Sequence, residues 1–259
     1  MTFEFDGEKY KQASEQQKTW GRKLIAEFDF KGGEKILDLG CGDGVLTAEL
    51  AKFVPDGFVL GIDASESMIE TARKYNAGAN VRFEPLDINA IDFESEFDLV
   101  FSNATLHWIK DHGKLLSNVF KALKDNGTAR FQFAGDGNCS NLIRILKEVI
   151  SARKYASYFA EFDWPWYMPA HDEYRALLDE AAFAEKKIWS ENGDKQFESA
   201  EAMVKWIDQP SLVPFLGHVA GKDRQSFRDA VVERMIKETL QSDGTYFETF
   251  RRINVLARK

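Results

Sequence analysis

The 259-residue chain is 44% hydrophobic and 29% charged with a formal net charge of −8, the composition of a globular protein long enough for one large α/β domain with insertions. Its acidic balance disfavours long nucleic acid as a partner, and its two cysteines, Cys41 and Cys139, give neither a disulfide framework nor metal-ligand spacing. The acidic, polar start MTFEFDGEKY, with no apolar run near the about 20 residues that span a bilayer, predicts a cytoplasmic protein without a membrane anchor; a small molecule is the expected partner, with no obligatory protein partner evident.

The first predicted element is a helix over Ser14–Phe28, with Trp20, Leu24, Ile25 and Phe28 on one face. A buried strand over Lys35–Leu39 then runs into glycines, and from there strands and helices alternate. Val45–Phe53 reads as helix, Phe58–Ile62 as strand, Ser65–Tyr75 as helix and Val81–Glu84 as strand. Phe97–Ser102 reads as strand, His112–Leu123 as helix and Thr128–Phe133 as strand. This rhythm predicts βαβ crossovers and a parallel sheet with helices on both faces.

Beyond Phe133 the rhythm stops. Helical stretches over Asn141–Phe159 and Asp172–Ala182 flank the aromatic segment Trp164-Pro165-Trp166-Tyr167. A further helical region spans about Ser199–Leu240, and a terminal strand is expected over Thr245–Ala257. The single-domain reading has an entrance helix within 1–30, a cofactor-binding core over 33–134, cap insertions over 135–170 and 196–243, and a terminal strand over 244–257. A separate C-terminal domain is the alternative.

The segment Ile36-Leu37-Asp38-Leu39-Gly40-Cys41-Gly42-Asp43-Gly44 joins a strand to a helix, and its glycines permit a tight turn close to a ligand. The spacing is G-x-G-x-G, with Val45 where a dinucleotide loop has its third glycine, and no P-loop lysine follows. A ligand without a phosphate chain is expected. Asp63, at the tip of the second strand, can accept both hydroxyls of a ribose, or else cap the helix that follows. Asp87, beyond the third strand, can accept from an adenine amine. Asp98 begins its strand and reads as structural.

Together D-L-G-C-G-D-G, G-I-D-A-S, L-D-I and F-D-L-V-F-S-N resemble the class I S-adenosylmethionine-dependent methyltransferases, strongly over residues 33–134. The resemblance implies a Rossmann-like, doubly wound α/β fold of seven strands, the last antiparallel, with a helical cap inserted in the C-terminal half. It also implies S-adenosylmethionine as cofactor, leaving S-adenosylhomocysteine. Gly40 and Gly42 would line its methionine part, Asp63 its ribose, Ala64 and Met68 its adenine face, Asp87 and Ile88 its adenine edge, and Asn103 its methionyl end, with Asp38 also among the cofactor-binding residues.

The strand-end segment Asn103-Ala104-Thr105-Leu106-His107-Trp108-Ile109 lacks the [DNS]-P-P-[YF] signature of many enzymes acting on planar nitrogens, and no Asp/Glu/His cluster suggests a metal. With Tyr10-x-x-x-Ser14-x-x-Gln17-x-x-Trp20, it resembles small-molecule carboxylate methyltransferases of the trans-aconitate, juvenile hormone acid and malonyl-carrier-protein type. The resemblance implies that Gln17 and Trp108 grip a carboxylate acceptor, with His107 beside them. A carboxylate is already anionic at neutral pH and needs no general base. Transfer to nitrogen, sulfur or a phenol, and a cofactor-binding protein acting through a partner, are the alternatives. The aromatics from Tyr155 to Tyr167 are read as cap core or acceptor wall, and Arg144 and Arg153 as solvated charges or holders of a second carboxylate.

Overall fold

The computed structural model describes residues 14–259, so Tyr10 of the entrance-helix pattern lies outside the described residues. The predicted first helix forms as α1 (Glu15–Ile25), with Trp20, Leu24 and Ile25 buried. Midway along it Gly21 allows a close approach: a Cβ there would come within 2.2 Å of Leu46 Cδ1.

The alternating region folds as β1 (Lys35–Leu39), α2 (Val45–Phe53), β2 (Phe58–Asp63), α3 (Glu66–Asn76), β3 (Val81–Pro85), β4 (Phe97–Asn103), α4 (His112–Ala122) and β5 (Leu123–Ala134). Next come α5 (Ser140–Ser151), α6 (His171–Glu180), β6 (Glu185–Asn192), β7 (Lys195–Phe197), α7 (Ala200–Trp206), α8 (Val213–Leu216), α9 (Gly221–Thr239), β8 (Tyr246–Glu248) and β9 (Arg251–Arg258). The main sheet has seven strands in the order β3-β2-β1-β4-β5-β9-β6. Strands β1 to β5 pair in parallel, and β9 runs antiparallel to β5. The implied Rossmann-like sheet with an antiparallel last strand is therefore what the chain forms.

Three expectations are corrected. The helical stretch over Asn141–Phe159 ends as α5 at Ser151, and only a short 3-10 turn, Ala156–Phe159, follows. The region Ser199–Leu240 is not continuous; it breaks after α7, where Gln209, the residue before a proline, takes the extended conformation φ −144°, ψ 116°. The expected terminal strand is split, with β8 pairing β7 in a separate two-stranded ribbon while β9 joins the main sheet.

The chain divides into two compact units: one holds the residues up to Asp136, Trp166–Glu191 and Arg252–Lys259, the other Gly137–Pro165 and Asn192–Arg251. In the first, period-two alternation fills both sheet faces. Ile36, Val59, Leu99 and Phe101 pack with Leu24, Ile25 and Leu50 on one side. Leu37, Leu39, Val100, Phe131, Phe133 and Val255 pack on the other with Leu115, Val119 and Leu178 from α4 and α6. The face that carries α1 changes character at β5: there Arg130, Gln132, Arg252 and Asn254 are buried instead of hydrocarbon.

In the second unit, Phe159, Phe162, Trp164, Phe215 and Phe227 form a ring-packed centre with His218. The aromatic segment is thus divided, because Trp166 and Tyr167 belong to the first unit, against Trp108 and His112. Arg144 is tied to Glu238 at 2.8 Å and Glu148 at 3.3 Å, and Arg153 is exposed.

Candidate active site

In an open parallel sheet, ligands bind beyond the carboxyl ends of the strands where the strand order reverses. Here that point lies between β1 and β4, and every sequence-singled loop starts from this edge. Ser102 closes the gap by donating from Oγ to the Leu39 carbonyl at 2.8 Å. Thr105 donates to the Gly40 carbonyl at 3.1 Å.

The glycine loop folds over β2, with the Gly40 and Cys41 N–H groups both donating to the Ile62 carbonyl. Gly40 has φ +74°, and a Cβ there would lie 2.1 Å from Thr105 Cγ2, so glycine is required on both counts. Asp63 fastens the loop to the next one: Oδ2 accepts from the Gly42 N–H at 3.0 Å and Oδ1 from the Ser65 N–H at 2.9 Å. The capping alternative for Asp63 falls to Ser65, whose Oγ accepts the Met68 N–H.

A cleft opens at this edge, lined by Ser14, Gln17, Lys18, Asp38, Gly40, Cys41, Gly42, Asp43, Leu46 and Asn103. Five residues expected at the site, Gln17, Asp38, Gly40, Gly42 and Asn103, meet there. Buried polar atoms are almost always hydrogen-bonded, yet Ser14 Oγ, Gln17 Oε1 and Asn103 Oδ1 are buried in the lining without a partner among the described residues. Such atoms mark a place built for a polar ligand.

Asp38 accepts from Thr47 Oγ1 at 2.6 Å. Burial, with a smaller contribution from the Asp63 charge, pushes its carboxyl up to about 7. Lys18 and Asp43 form an ion pair of 2.8 Å, their side chains only 9% and 6% exposed. Sequence reasoning passed over Lys18, although it adjoins Gln17 on α1. Asp98 is structural as read, accepting from the Lys35 N–H and from Lys124.

The remaining residues lie along the same edge. Ala64 is exposed at the end of β2, and Met68 is buried in the first turn of α3. Leu86 donates its N–H to the Asp63 carbonyl, which holds the β3 end beside β2. Asp87 is exposed and accepts through Oδ1 from the Asn89 N–H, while the Ile88 side chain enters the core. Trp108 packs edge-on against Trp166 at 5.7 Å between ring centroids. His107 has a sealed Nδ1, and burial foremost, then the charge of Arg252, holds its imidazole down at about 3. It is neutral at physiological pH. Among the described residues no group of His, Cys, Asp and Glu could hold a metal ion.

Residues 30–188 match the family described as a methyltransferase domain. The chain is 30% identical to an uncharacterized methyltransferase of Schizosaccharomyces pombe, over 92% of this chain and 91% of that protein. It is also 30% identical to a trans-aconitate 2-methyltransferase of Methylobacterium radiotolerans, with the same coverage. The fold matches the crystal structure of the YcgJ protein from Bacillus subtilis with a TM-score of 0.65 at 17% identity, over 93% of this chain and 98% of that one. Sheet order, the glycine loop at the reversal point and these likenesses agree, and the chain belongs to the methyltransferase domain family as a class I S-adenosylmethionine-dependent enzyme.

Proposed function

We propose that the methyl acceptor is a carboxylate oxygen of a small organic acid, gripped by Gln17 and Trp108. The observation that carries the proposal is the place of Gln17, which lines the glycine-loop cleft, where its amide Nε2 could donate to a carboxylate oxygen. His107 supports it too: held down at about 3 by burial, its imidazole is a weak base, and an anionic acceptor has no proton to remove. Several relatives are named trans-aconitate 2-methyltransferase, and that acid is a carboxylate acceptor.

When bound, the cofactor would supply a sulfonium-borne methyl group for transfer to the acceptor oxygen, with S-adenosylhomocysteine as the other product. The chain's task is alignment and desolvation. In this reading Asp38, Gly40, Gly42 and Asn103 hold the methionine part. The unpartnered Asn103 Oδ1 fits an ammonium donor, and the ionisable Asp38 carboxyl fits the same positive charge. Asp63 takes the ribose hydroxyls, Ala64 and Met68 lie beside adenine, and Asp87 with the Ile88 backbone reads its edge.

A net charge of −8 supports a free metabolite over nucleic acid. No helix among the described residues is long and apolar enough to cross a membrane, in keeping with a cytoplasmic enzyme. The second unit interrupts the first twice in sequence, which supports one methyltransferase domain with insertions.

Incubation with methyl-labelled cofactor and a panel of acids, amines and phenols, followed by mild base, tests the acceptor. Label released as methanol is expected from an ester. A base-stable product would move the methyl to nitrogen, sulfur or a phenol.

A further inference from the structure

The amino-acid end of the cofactor is a zwitterion, and the cleft divides its polar groups in the same way. Asp38 and Asn103, from the ends of β1 and β4, offer oxygen acceptors suited to an ammonium. The other wall is α1 with its N-cap, which contributes Ser14, Gln17 and Lys18.

A serine just before a helix ordinarily turns its hydroxyl back to accept an N–H of the first turn. Ser14 occupies that position yet makes no such bond. The residue is 1% exposed, and its Oγ, in the cleft lining, has no partner among the described residues. A buried hydroxyl is costly to leave unbonded, and a ligand that enters the cleft can complete it. The Lys18 N–H donates to the Ser14 carbonyl at 3.0 Å, so the two side chains stand one turn apart on one helix face. Lys18 is the one cation among the described residues lining the cleft, beside the acids Asp38 and Asp43. Its 2.8 Å ion pair with Asp43 fastens the ammonium to the glycine loop, the segment read as holding the methionine part. The N-terminus of the 11-residue α1 adds the positive end of a helix dipole.

A structural tie between α1 and the loop accounts for Lys18 and Asp43 but leaves the Ser14 hydroxyl unexplained. We infer that Ser14 Oγ, Lys18 and the first turn of α1 form the subsite for the carboxylate of the cofactor's methionine part, so that the cleft selects S-adenosyl amino acids over their decarboxylated analogues. The inference rests on the cofactor placement proposed above and is independent of the acceptor. It gives the face of α1 that carries Gln17 a second task, since the same turn then holds the cofactor.

Calorimetry with S-adenosylhomocysteine and its decarboxylated analogue, which lacks only that carboxylate, tests the subsite. The analogue is net cationic, so an acidic cleft without an anion site should prefer it. The wild type is expected instead to bind S-adenosylhomocysteine about tenfold or more tightly. Ser14→Ala removes a hydroxyl that bonds nothing among the described residues, so the melting temperature should not fall. The same variant should weaken S-adenosylhomocysteine about tenfold and leave the analogue within about twofold. Lys18→Gln combined with Asp43→Asn discharges the ion pair without leaving either charge alone, and should erase the rest of the preference. Absence of a wild-type preference for S-adenosylhomocysteine would overturn the subsite whether or not any variant folds. So would Ser14→Ala weakening both ligands by the same factor, or neither. Asn103→Ala separates that failure from failure of the cofactor placement: both ligands keep the ammonium and should weaken together, and two unchanged affinities would remove the methionine part from this cleft.

Discussion

Asn103 Nδ2 donates to the backbone carbonyl of Gln17 at 2.9 Å, fastening the end of β4 to the middle of α1 across 86 residues of chain. The bond orients both side chains, since it turns Asn103 Oδ1 into the cleft and holds the helix turn that carries the Gln17 amide. On the proposed roles of Asn103 and Gln17, cofactor and acceptor binding are thereby coupled. Asn103→Ala should weaken cofactor binding about tenfold and raise the acceptor KM together. Calorimetry and steady-state kinetics on the same variant check this; a rise in KM at unchanged cofactor affinity would place Asn103 outside the methionyl site.

Gly40 makes the most stringent steric demand in the loop. Its φ of +74° is unfavourable for any other residue, and the added methyl of Gly40→Ala would meet Thr105 Cγ2 at 2.1 Å. The variant should lose about 1–3 kcal/mol of stability and most of its cofactor affinity. Adding Thr105→Gly relieves the collision but not the backbone strain, so thermal melting of the double variant should recover only part of the loss.

If Asp38 holds the cofactor as proposed, it gives binding a pH dependence. Its carboxyl is raised to about 7, chiefly by burial, so the proton is held in the folded protein between the unfolded value near 3.8 and 7. For stability the sign follows: the contribution is fully present below about 3.8 and is lost as pH rises through 7. For binding the sign is opposite, because the cofactor ammonium favours the ionised form. Affinity should rise with pH toward about 7 and level off above it, with proton release on binding near neutrality. Calorimetry in buffers of different ionisation enthalpy measures that proton, and Asp38→Asn should abolish its release.

The core was legible in the sequence because β1 to β5 are apolar strands separated by amphipathic helices, a pattern that needs no tertiary information. β6 was not. Its pattern leaves Ile188 as the only buried side chain, and an edge strand of exposed or half-buried Lys, Trp and Glu residues carries no apolar run. The cleft was half legible: Gly40, Gly42 and Asp38 sit in one contiguous motif, while Lys18 and Ser14 reach it only through the packing of α1. The polar row of Gln132, Arg252 and Asn254 is created by register between β5 and β9, which sequence spacing does not reveal.

His112 supplies an acid-sensitive lock beneath the site. Nε2 lies 3.0 Å from the Leu106 carbonyl and Nδ1 3.0 Å from the Tyr174 hydroxyl; the carbonyl only accepts, so Nε2 carries the proton and Nδ1 accepts from Tyr174. Burial holds the imidazole down at about 4. A depressed folded value contributes stability above the unfolded value near 6.5 and loses it as pH falls toward 4. Melting temperature should fall over that window in the wild type, and less steeply in His112→Gln.

His107 decides whether the reaction uses a base. It adjoins Trp108, and burial with the Arg252 charge holds it neutral down to about pH 3. With its imidazole held that low, His107 is a weak base for an amine or phenol, and a carboxylate acceptor gives it nothing to deprotonate. His107→Asn should therefore keep kcat for ester formation within about tenfold of wild type, the lower bound of a typical general-base contribution being about a hundredfold. Neither protein should show a kcat limb between pH 5 and 8 that disappears with the imidazole. A hundredfold loss accompanied by disappearance of such a limb would make His107 a base and the acceptor a protonated group.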